Sequence, residues 1–178
     1  MPESLKPMSI PQKYFLLGMM GSGKSTLGRS LAAEIGIPFI DLDEAVVSYI
    51  GQTIPEVFES RGEDEFRRIE SLILQQFCLS QDSFVMATGG GTPCFGDNLE
   101  TMKHAGKTVF LDVPVQTLVT RLATNKSGRP LISGLGTLEL ASYLEKLRDT
   151  RLVWYTGAAF TLRGENIGIS AFPEAGIL

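Results

Sequence analysis

The chain alternates short apolar runs with longer segments in which apolar residues recur every three or four positions. The short runs predict β-strands, and the periodic segments predict helices that each bury one face. Strands alternating with helices are typical of βαβ units, so the fold class is expected to be α/β with a parallel sheet. The predicted strands are residues 14–17, 38–42, 83–87, 108–113 and 158–162. The predicted helices are residues 24–35, 115–123 and 137–155, a short helix beginning near 53 and a longer helix after 62.

Two of these helices carry further local signals. Thr53 and Glu56 form a capping box, with a proline in the first turn, which predicts a helix start at that point. For the helix predicted over 137–155, the pattern assigns the apolar face to Leu138, Leu144, Leu147 and Val153.

Composition narrows the class of protein. With 178 residues, 43% of them hydrophobic and 20% charged, the chain is expected to form one globular domain over residues 1–178, and not a disordered or fibrous protein. A net charge of −4 gives no positive field for sequence-independent nucleic-acid binding. The longest apolar run, residues 14–20, is too short to cross a bilayer. Two cysteines without a CxxC motif, and a start without a signal-peptide pattern, favour the cytoplasm.

The strongest motif is GMMGSGKS at residues 18–25, a match to GxxxxGK[ST] between a predicted strand and a predicted helix. This is the P-loop pattern, in which glycines let the backbone wrap around phosphates and amide groups at the helix N-terminus point towards them. Lys24 is expected to reach the β- and γ-phosphates of a nucleotide, and Ser25 to bind Mg²⁺. The alternative, a glycine-rich turn followed by a surface lysine, does not account for the flanking elements.

Two carboxylates, Asp41 and Asp43, follow the second predicted strand. The carboxyl ends of strands face the ligand crevice of an open α/β sheet, and residues two apart extend from the same side of a strand. One carboxylate would hold Mg²⁺ through water, and the other would meet a substrate hydroxyl. The alternative is that Asp43 only caps the helix that follows.

Three further features fit a small anionic acceptor, although each also has an ordinary structural explanation. Arg67 and Glu70 lie one helical turn apart and can pair, which would hold the guanidinium ready for a carboxylate, but a solvated helix face has the same pattern. The glycine run at 89–91 can lie against a ligand or form a simple turn. Arg129, in a polar loop over 124–136, can neutralise a transferred phosphoryl group or be a solvated loop charge.

Other kinds of chemistry find little support in the sequence. His104 is the one histidine, without a cysteine–histidine cluster at metal-ligand spacing, so zinc catalysis is not expected. No GxSxG motif accompanies it, which argues against a serine hydrolase. An NKxD-like motif, expected in a P-loop GTPase, is also missing.

In their order along the chain, these features resemble the shikimate kinase family of P-loop kinases. They are the P-loop, D-x-D at 41–43, F-R-x-x-E at 66–70, G-G-G at 89–91, R-P-L at 129–131 and R-x-x-x-Y at 151–155. The resemblance covers about residues 13–162. It implies a three-layer α/β/α fold around a five-stranded parallel sheet of order 2-3-1-4-5. A mobile lid over about 124–136 and a substrate-binding helical region over about 43–79 would complete it.

The resemblance also implies a reaction and a set of site residues. The γ-phosphoryl group of ATP would pass to the 3-hydroxyl of shikimate, with Mg²⁺ present, in chorismate and aromatic amino-acid biosynthesis. The implied catalytic residues are Lys24, Asp43 (the candidate base) and Arg129 (the lid arginine), and the Mg²⁺ residues are Ser25 and Asp41. The implied nucleotide contacts are Gly21, Ser22, Gly23, Lys24, Ser25, Thr26, Arg121 and Arg129. The implied shikimate contacts are Asp43, Arg67, Gly90, Gly91 and Arg151.

Two other functions remain as alternatives at this point. A gluconate kinase-like enzyme would also phosphorylate a sugar-acid hydroxyl, although the paired arginines and the triple glycine favour shikimate. A nucleotide-binding regulatory protein without catalysis would not need Asp43 and Arg129. The tail after Leu162 departs from the family pattern, which leaves the contacts to the adenine base unassigned. The protein is expected to be a monomer.

Overall fold

Five parallel strands form a single sheet in the computed structural model, which describes residues 11–124, 132 and 134–178. The strands lie in the order β2-β3-β1-β4-β5 across the sheet, as the resemblance implies. Their bounds are β1 (Lys13–Leu17), β2 (Phe39–Asp41), β3 (Phe84–Ala87), β4 (Lys107–Asp112) and β5 (Phe160–Arg163).

Eight α-helices lie within the described ranges, and the first seven follow or connect the strands. Their bounds are α1 (Lys24–Ile35), α2 (Leu42–Ile50), α3 (Ile54–Arg61), α4 (Glu63–Leu79), α5 (Asn98–Ala105), α6 (Val115–Thr124), α7 (Thr137–Tyr155) and α8 (Ala171–Glu174). The capping box predicted at Thr53 is present at the start of α3. None of the helices in these ranges has the length and apolar character needed to cross a membrane.

The core consists of two apolar clusters, one on each face of the sheet. In the central strand β1, Phe15 and Leu17 belong to one cluster, and Tyr14 and Leu16 belong to the other. Successive side chains of a strand point to opposite faces, so a strand that is apolar at four consecutive positions, from Tyr14 to Leu17, must be covered on both sides. Residues of α4, α6 and α7 cover the first face, and residues of α1 cover the second, which gives the three-layer architecture.

The apolar face predicted for α7 is partly wrong. Leu144 is buried and Leu147 packs against the core, but Leu138 is 87% exposed and Val153 is 69% exposed. Residues two positions apart in a helix lie about 200° apart around its axis. Leu138 and Val153 each lie two positions before a buried residue, Leu140 and Tyr155 respectively, and therefore face away from the core.

The tail after β5 packs on the sheet in a way that the sequence did not predict. Phe172 and Ile177 are fully buried in the cluster that also contains α1. The Lys107 ammonium donates a hydrogen bond to the backbone carbonyl of Ile177 at 2.6 Å. The tail is therefore part of the folded domain.

A buried lysine links the first strand to the C-terminal end of α4. Lys13, the first residue of β1, is almost fully buried, and its Nζ donates to the carbonyl oxygens of Cys78 at 2.7 Å and Ser80 at 2.6 Å. These carbonyls lie at the C-terminus of α4, where backbone acceptors lack helical partners and a positive charge is favourable.

We predict that Lys13→Met lowers the free energy of unfolding by about 1–3 kcal/mol, because two acceptors lose their donor. Lys107→Met is the matched control, since Lys107 is exposed and donates to a single carbonyl of the tail. Urea denaturation of the two variants and the wild type measures the effect. Equal losses of unfolding free energy in the two variants would show that the burial of Lys13 makes no additional contribution to stability.

Candidate active site

The P-loop connects β1 to α1 and is held tightly between neighbouring elements. Gly18, Gly21 and Gly23 have φ angles of 141°, 78° and 94°, in the region that side-chain-bearing residues rarely adopt. A Cβ atom at Gly18 would also lie 2.9 Å from the carbonyl oxygen of Leu111. The loop therefore requires glycine both for its backbone angles and for its close approach to β4.

The polar groups of this loop are arranged around an open concavity. Lys24 Nζ donates to the carbonyl oxygens of Gly18 at 2.8 Å and Met19 at 3.0 Å. The Ser22 hydroxyl is buried, and within the described part of the chain it has no hydrogen-bond partner. Buried hydroxyls are almost always paired in native proteins, so this one fits a site whose remaining partner is a ligand.

The acidic pair lies across from the P-loop, but the local structure differs from the prediction. β2 ends at Asp41, and α2 already begins at Leu42, so Asp43 lies in the first turn of a helix and not on a strand. Asp41 is the capping residue, since its carboxylate accepts from the Asp43 backbone N–H at 3.2 Å. It also accepts from the Ser25 hydroxyl at 2.8 Å. The suggestion that Asp43 caps the helix is wrong, because Asp41 does so.

Asp43 has an unusual electrostatic environment. Burial first, and then the neighbouring carboxylates of Glu70 and Asp41, raise the pKa of this carboxyl to about 6, although Lys24 and Arg67 act to lower it. The carboxyl is thus ionised at neutral pH, with a pKa closer to neutrality than that of an ordinary aspartate. A group of this kind in a cleft is suited to accept a proton from a bound hydroxyl.

On α4, Arg67 and Glu70 form the ion pair that the sequence predicts. Arg67 Nη1 donates to Glu70 Oε2 at 2.8 Å, and its Nη2 lies 3.3 Å from Glu63 Oε1. Burial acts to lower the pKa of Arg67, but these two carboxylates outweigh it and raise the pKa. Glu70 is fully buried, while Arg67 keeps a small exposed fraction. The pair fixes one guanidinium at the edge of the site.

Two arginines lie close to the glycine run after β3. A Cβ atom at Gly91 would lie 2.5 Å from Arg67 Nη2, and one at Gly90 would lie 3.0 Å from Arg151 Nη1. The run is therefore glycine because the guanidinium groups approach the backbone closely. Tyr155 holds it in place, since its hydroxyl donates to the Gly90 carbonyl at 2.7 Å. Burial raises the pKa of Tyr155 to about 12, which keeps this donor protonated.

Two adjoining cavities result from this arrangement. The larger, of about 630 Å³, is lined by the P-loop, both aspartates, Gly89, Gly90 and Arg121. The smaller, of about 230 Å³, is lined by residues that include Arg67, Gly91 and Arg151. Gly90 lines the larger cavity and Gly91 the smaller one, so the two spaces meet at the glycine run.

Most of the site residues predicted from the sequence come together in these cavities. Arg121 lies beside the P-loop and donates to the Gly21 carbonyl at 3.1 Å. Arg129, and most of the segment predicted as a lid, lie outside the described residues. The residues of the larger cavity that the sequence did not identify are Leu27, Thr88, Leu122, Asn166, Ile167 and Gly168. Asn166, Ile167 and Gly168 belong to the tail, which has no motif of its own.

Comparisons with known proteins agree with this geometry. The model of the shikimate kinase family matches residues 20–168. A curated shikimate kinase from Bacteroides fragilis is 42% identical over 148 residues, which cover 83% of this chain and 82% of the relative. The crystal structure of a shikimate kinase from Bacteroides thetaiotaomicron has a TM-score of 0.84 and 36% identity, covering 93% of this chain and 94% of that one. That of a shikimate kinase from Acinetobacter baumannii in complex with shikimate has a TM-score of 0.79 and 33% identity, covering 93% and 89%.

A P-loop on a sheet of this order, beside a second cavity with two arginines, defines a P-loop kinase that acts on a small molecule. The match of the family model and the identity to curated relatives narrow this class further. The chain belongs to the shikimate kinase family.

The raised pKa of Asp43 predicts a gain in stability when the carboxylate is removed. The folded protein binds this proton more tightly than the unfolded chain, whose pKa is near 3.8, so Asp43 lowers stability as the pH rises from about 4 to about 6. Asp43→Asn should therefore raise the free energy of unfolding at pH 7.5, by at most about 3 kcal/mol, and leave it unchanged at pH 4.

Denaturation at both pH values tests this prediction, with Glu44→Gln as the control. Glu44 lies in the same helical turn but is exposed and pairs with an exposed arginine, so its substitution should have little effect at either pH. A loss of stability for Asp43→Asn at pH 7.5 would contradict the assignment of a raised pKa.

Proposed function

We propose that this chain transfers the γ-phosphoryl group of ATP to the 3-hydroxyl of shikimate, giving shikimate 3-phosphate and ADP, through the residues assigned below. The activity is that of the shikimate kinase family, which uses ATP as co-substrate together with Mg²⁺. The observation that carries the assignment of the acceptor is that Arg67 and Arg151 both line the smaller cavity, close to Gly91 and Gly90. Two guanidinium groups beside the P-loop cleft suit a small acceptor with a carboxylate.

On the nucleotide side, the loop from Gly21 to Thr26 would hold the phosphates through its backbone amide groups and the N-terminus of α1. The Ser22 hydroxyl, which has no hydrogen-bond partner among the described residues, would donate to a phosphate oxygen. Lys24, next to the carbonyls of Gly18 and Met19, would neutralise charge on the β- and γ-phosphates. Arg121, whose guanidinium touches the loop at Gly21, would lie near the adenine end of the nucleotide.

Ser25 and Asp41 are suited to hold Mg²⁺. Their side-chain oxygens are 2.8 Å apart and provide one hydroxyl and one carboxylate. Mg²⁺ prefers oxygen ligands and is usually bound by one or two protein groups together with substrate phosphates and water. When bound, the ion neutralises phosphate charge.

On the acceptor side, Arg67 and Arg151 would bind the shikimate carboxylate, and the backbone of Gly90 and Gly91 would lie against the ring. Asp43 lines the cleft between this region and the P-loop and would accept the proton of the 3-hydroxyl. The hydroxyl oxygen then forms the new bond to phosphorus as the bond to the bridging oxygen of ADP breaks. Arg129, which lies outside the described residues, stays a predicted catalytic residue on the basis of the resemblance.

The other candidate functions are less well supported. Membership of the shikimate kinase family argues against a gluconate kinase-like enzyme. The ionised Asp43 in the cleft argues against a regulatory protein that only binds nucleotide. A monomeric state and a cytoplasmic location stay predictions from the sequence.

An acceptor panel separates these functions. ADP release from ATP and Mg²⁺ should depend on shikimate and should stay at background with gluconate or without an acceptor. Lys24→Met should lower turnover by about a hundredfold or more while the protein stays folded, because charge on the phosphates is no longer neutralised. Lys103→Met, on the exposed surface of α5, is the control and should keep wild-type turnover. Release that responds to gluconate instead of shikimate would contradict the proposal.

The role of Arg67 is tested separately. Arg67→Ala should raise the KM for shikimate about tenfold to a hundredfold, since a charge-assisted contact is lost. The variant should also discriminate less against shikimate whose carboxylate is replaced by a neutral amide. Arg68→Ala is the matched control, because Arg68 is the next residue, is exposed and pairs with Glu65 on the helix surface. An unchanged preference for the acid in Arg67→Ala would remove Arg67 from the acceptor site.

A further inference from the structure

Thr92, the residue that follows the glycine run, makes a buried hydrogen bond and has no role in the site as assigned above. Thr92 begins a short 3₁₀ turn, Thr92–Cys94, and is fully buried. Its hydroxyl donates a hydrogen bond to Glu70 Oε1 at 2.7 Å. The partner lies on α4, one helical turn after Arg67, so the contact joins the glycine run to the helix that carries the arginine.

The two oxygens of Glu70 are held by two different donors. Oε1 accepts from Thr92, and Oε2 accepts from Arg67 Nη1 at 2.8 Å. Because the carboxylate is fully buried, it cannot replace a lost donor with bulk water. The Thr92 hydroxyl therefore restricts the orientation of the carboxylate, and the carboxylate in turn restricts the guanidinium of Arg67.

Thr92 is itself held from two directions. The side-chain amide of Asn98, at the start of α5, donates to the Thr92 carbonyl at 2.9 Å, and the Thr92 backbone N–H donates to the Gly89 carbonyl at 3.1 Å. A Cβ atom at Gly89 would lie 2.9 Å from both Glu70 Oε1 and Thr92 Oγ1. The backbone at Gly89 thus packs against this hydrogen bond and leaves little room for it to shift.

A competing carboxylate makes the orientation of Arg67 sensitive to this contact. Glu63 lies 3.3 Å from Arg67 Nη2, and its side chain is 63% exposed. If Glu70 turns away, the remaining acidic partner pulls the guanidinium towards the protein surface. The affinity for an acidic acceptor would then decrease, and the affinity for the nucleotide would not change.

We propose that Thr92 is a positioning residue of the acceptor site, which acts through Glu70 to keep the Arg67 guanidinium facing Gly91 and the smaller cavity. This inference rests on the proposed function, in which Arg67 binds the shikimate carboxylate. It predicts that removal of one hydroxyl, outside direct contact with substrate, weakens the binding of shikimate selectively.

The test compares Thr92→Val, which removes the hydroxyl and keeps the shape, with Thr92→Ser, which keeps the hydroxyl. Thr92→Val should raise the KM for shikimate about tenfold and leave the KM for ATP unchanged. Thr92→Ser should restore the KM for shikimate to near the wild-type value, as a purely steric role would not. Thr92→Ala also removes the hydroxyl, without introducing a β-branched side chain, and should have the same effect on the KM for shikimate. It is used in place of Thr92→Val if Thr92→Val does not fold.

Thr108→Val is the matched control for the loss of a buried hydroxyl. Thr108 is fully buried in β4, and its hydroxyl accepts from the backbone N–H of Ala159 at 2.9 Å, outside both cavities. Its substitution should lower the melting temperature and leave both KM values unchanged. An equal rise in the KM for shikimate in Thr108→Val would overturn the inference, because the effect would then follow from lost stability.

A double-mutant cycle with Arg67 shows whether Thr92 acts through the arginine. In the Arg67→Ala background, adding Thr92→Val should change the KM for shikimate no further. The same tenfold rise in both backgrounds, or no rise in the wild-type background, would overturn the role of Thr92. If Arg67→Ala alone leaves the KM for shikimate unchanged, the proposed acceptor site fails, and the inference fails with it. The three outcomes are distinguishable.

Discussion

Parallel pairing of β3 with both β1 and β2 decides where the functional loops of this protein lie. Ala87, the last residue of β3, lies opposite both Leu16 of β1 and Asp41 of β2. The strands that precede the P-loop, the glycine run and the acidic pair therefore end side by side. Since the carboxyl ends of parallel strands face one edge of the sheet, three separate sequence motifs meet in one cleft without any direct covalent connection.

The resulting cleft brings negatively charged carboxylates close together, and the fold would be more stable without these charges. Asp41 and Asp43 line the cleft, Glu70 is buried close by, and burial with repulsion between these carboxylates raises the pKa of Asp43. The protein tolerates this arrangement because Glu70 is paired with Arg67 and Asp41 accepts two hydrogen bonds. Asp43 therefore carries the electrostatic cost of the cleft, and it is the residue that we propose as the catalytic base.

The sequence predicted the parts of this structure that local patterns specify. Five strands and the P-loop were identified from apolar runs and glycine spacing, and the Arg67–Glu70 pair followed from the helical period. The sheet order came only from the resemblance, because strand pairing joins residues far apart in sequence. The face of α7 and the packing of the tail were missed, since both depend on which surfaces meet in the folded core. Thr92 carried no local signal, because its partner lies 22 positions away.

The structure of the protein bound to shikimate and a non-hydrolysable ATP analogue with Mg²⁺ would show whether a nucleotide site and a carboxylate site meet at the glycine run. We expect the shikimate carboxylate within hydrogen-bond distance of both Arg67 and Arg151, and the 3-hydroxyl between Asp43 and the γ-phosphate. A carboxylate bound elsewhere, with the two arginines in contact only with protein groups, would contradict it.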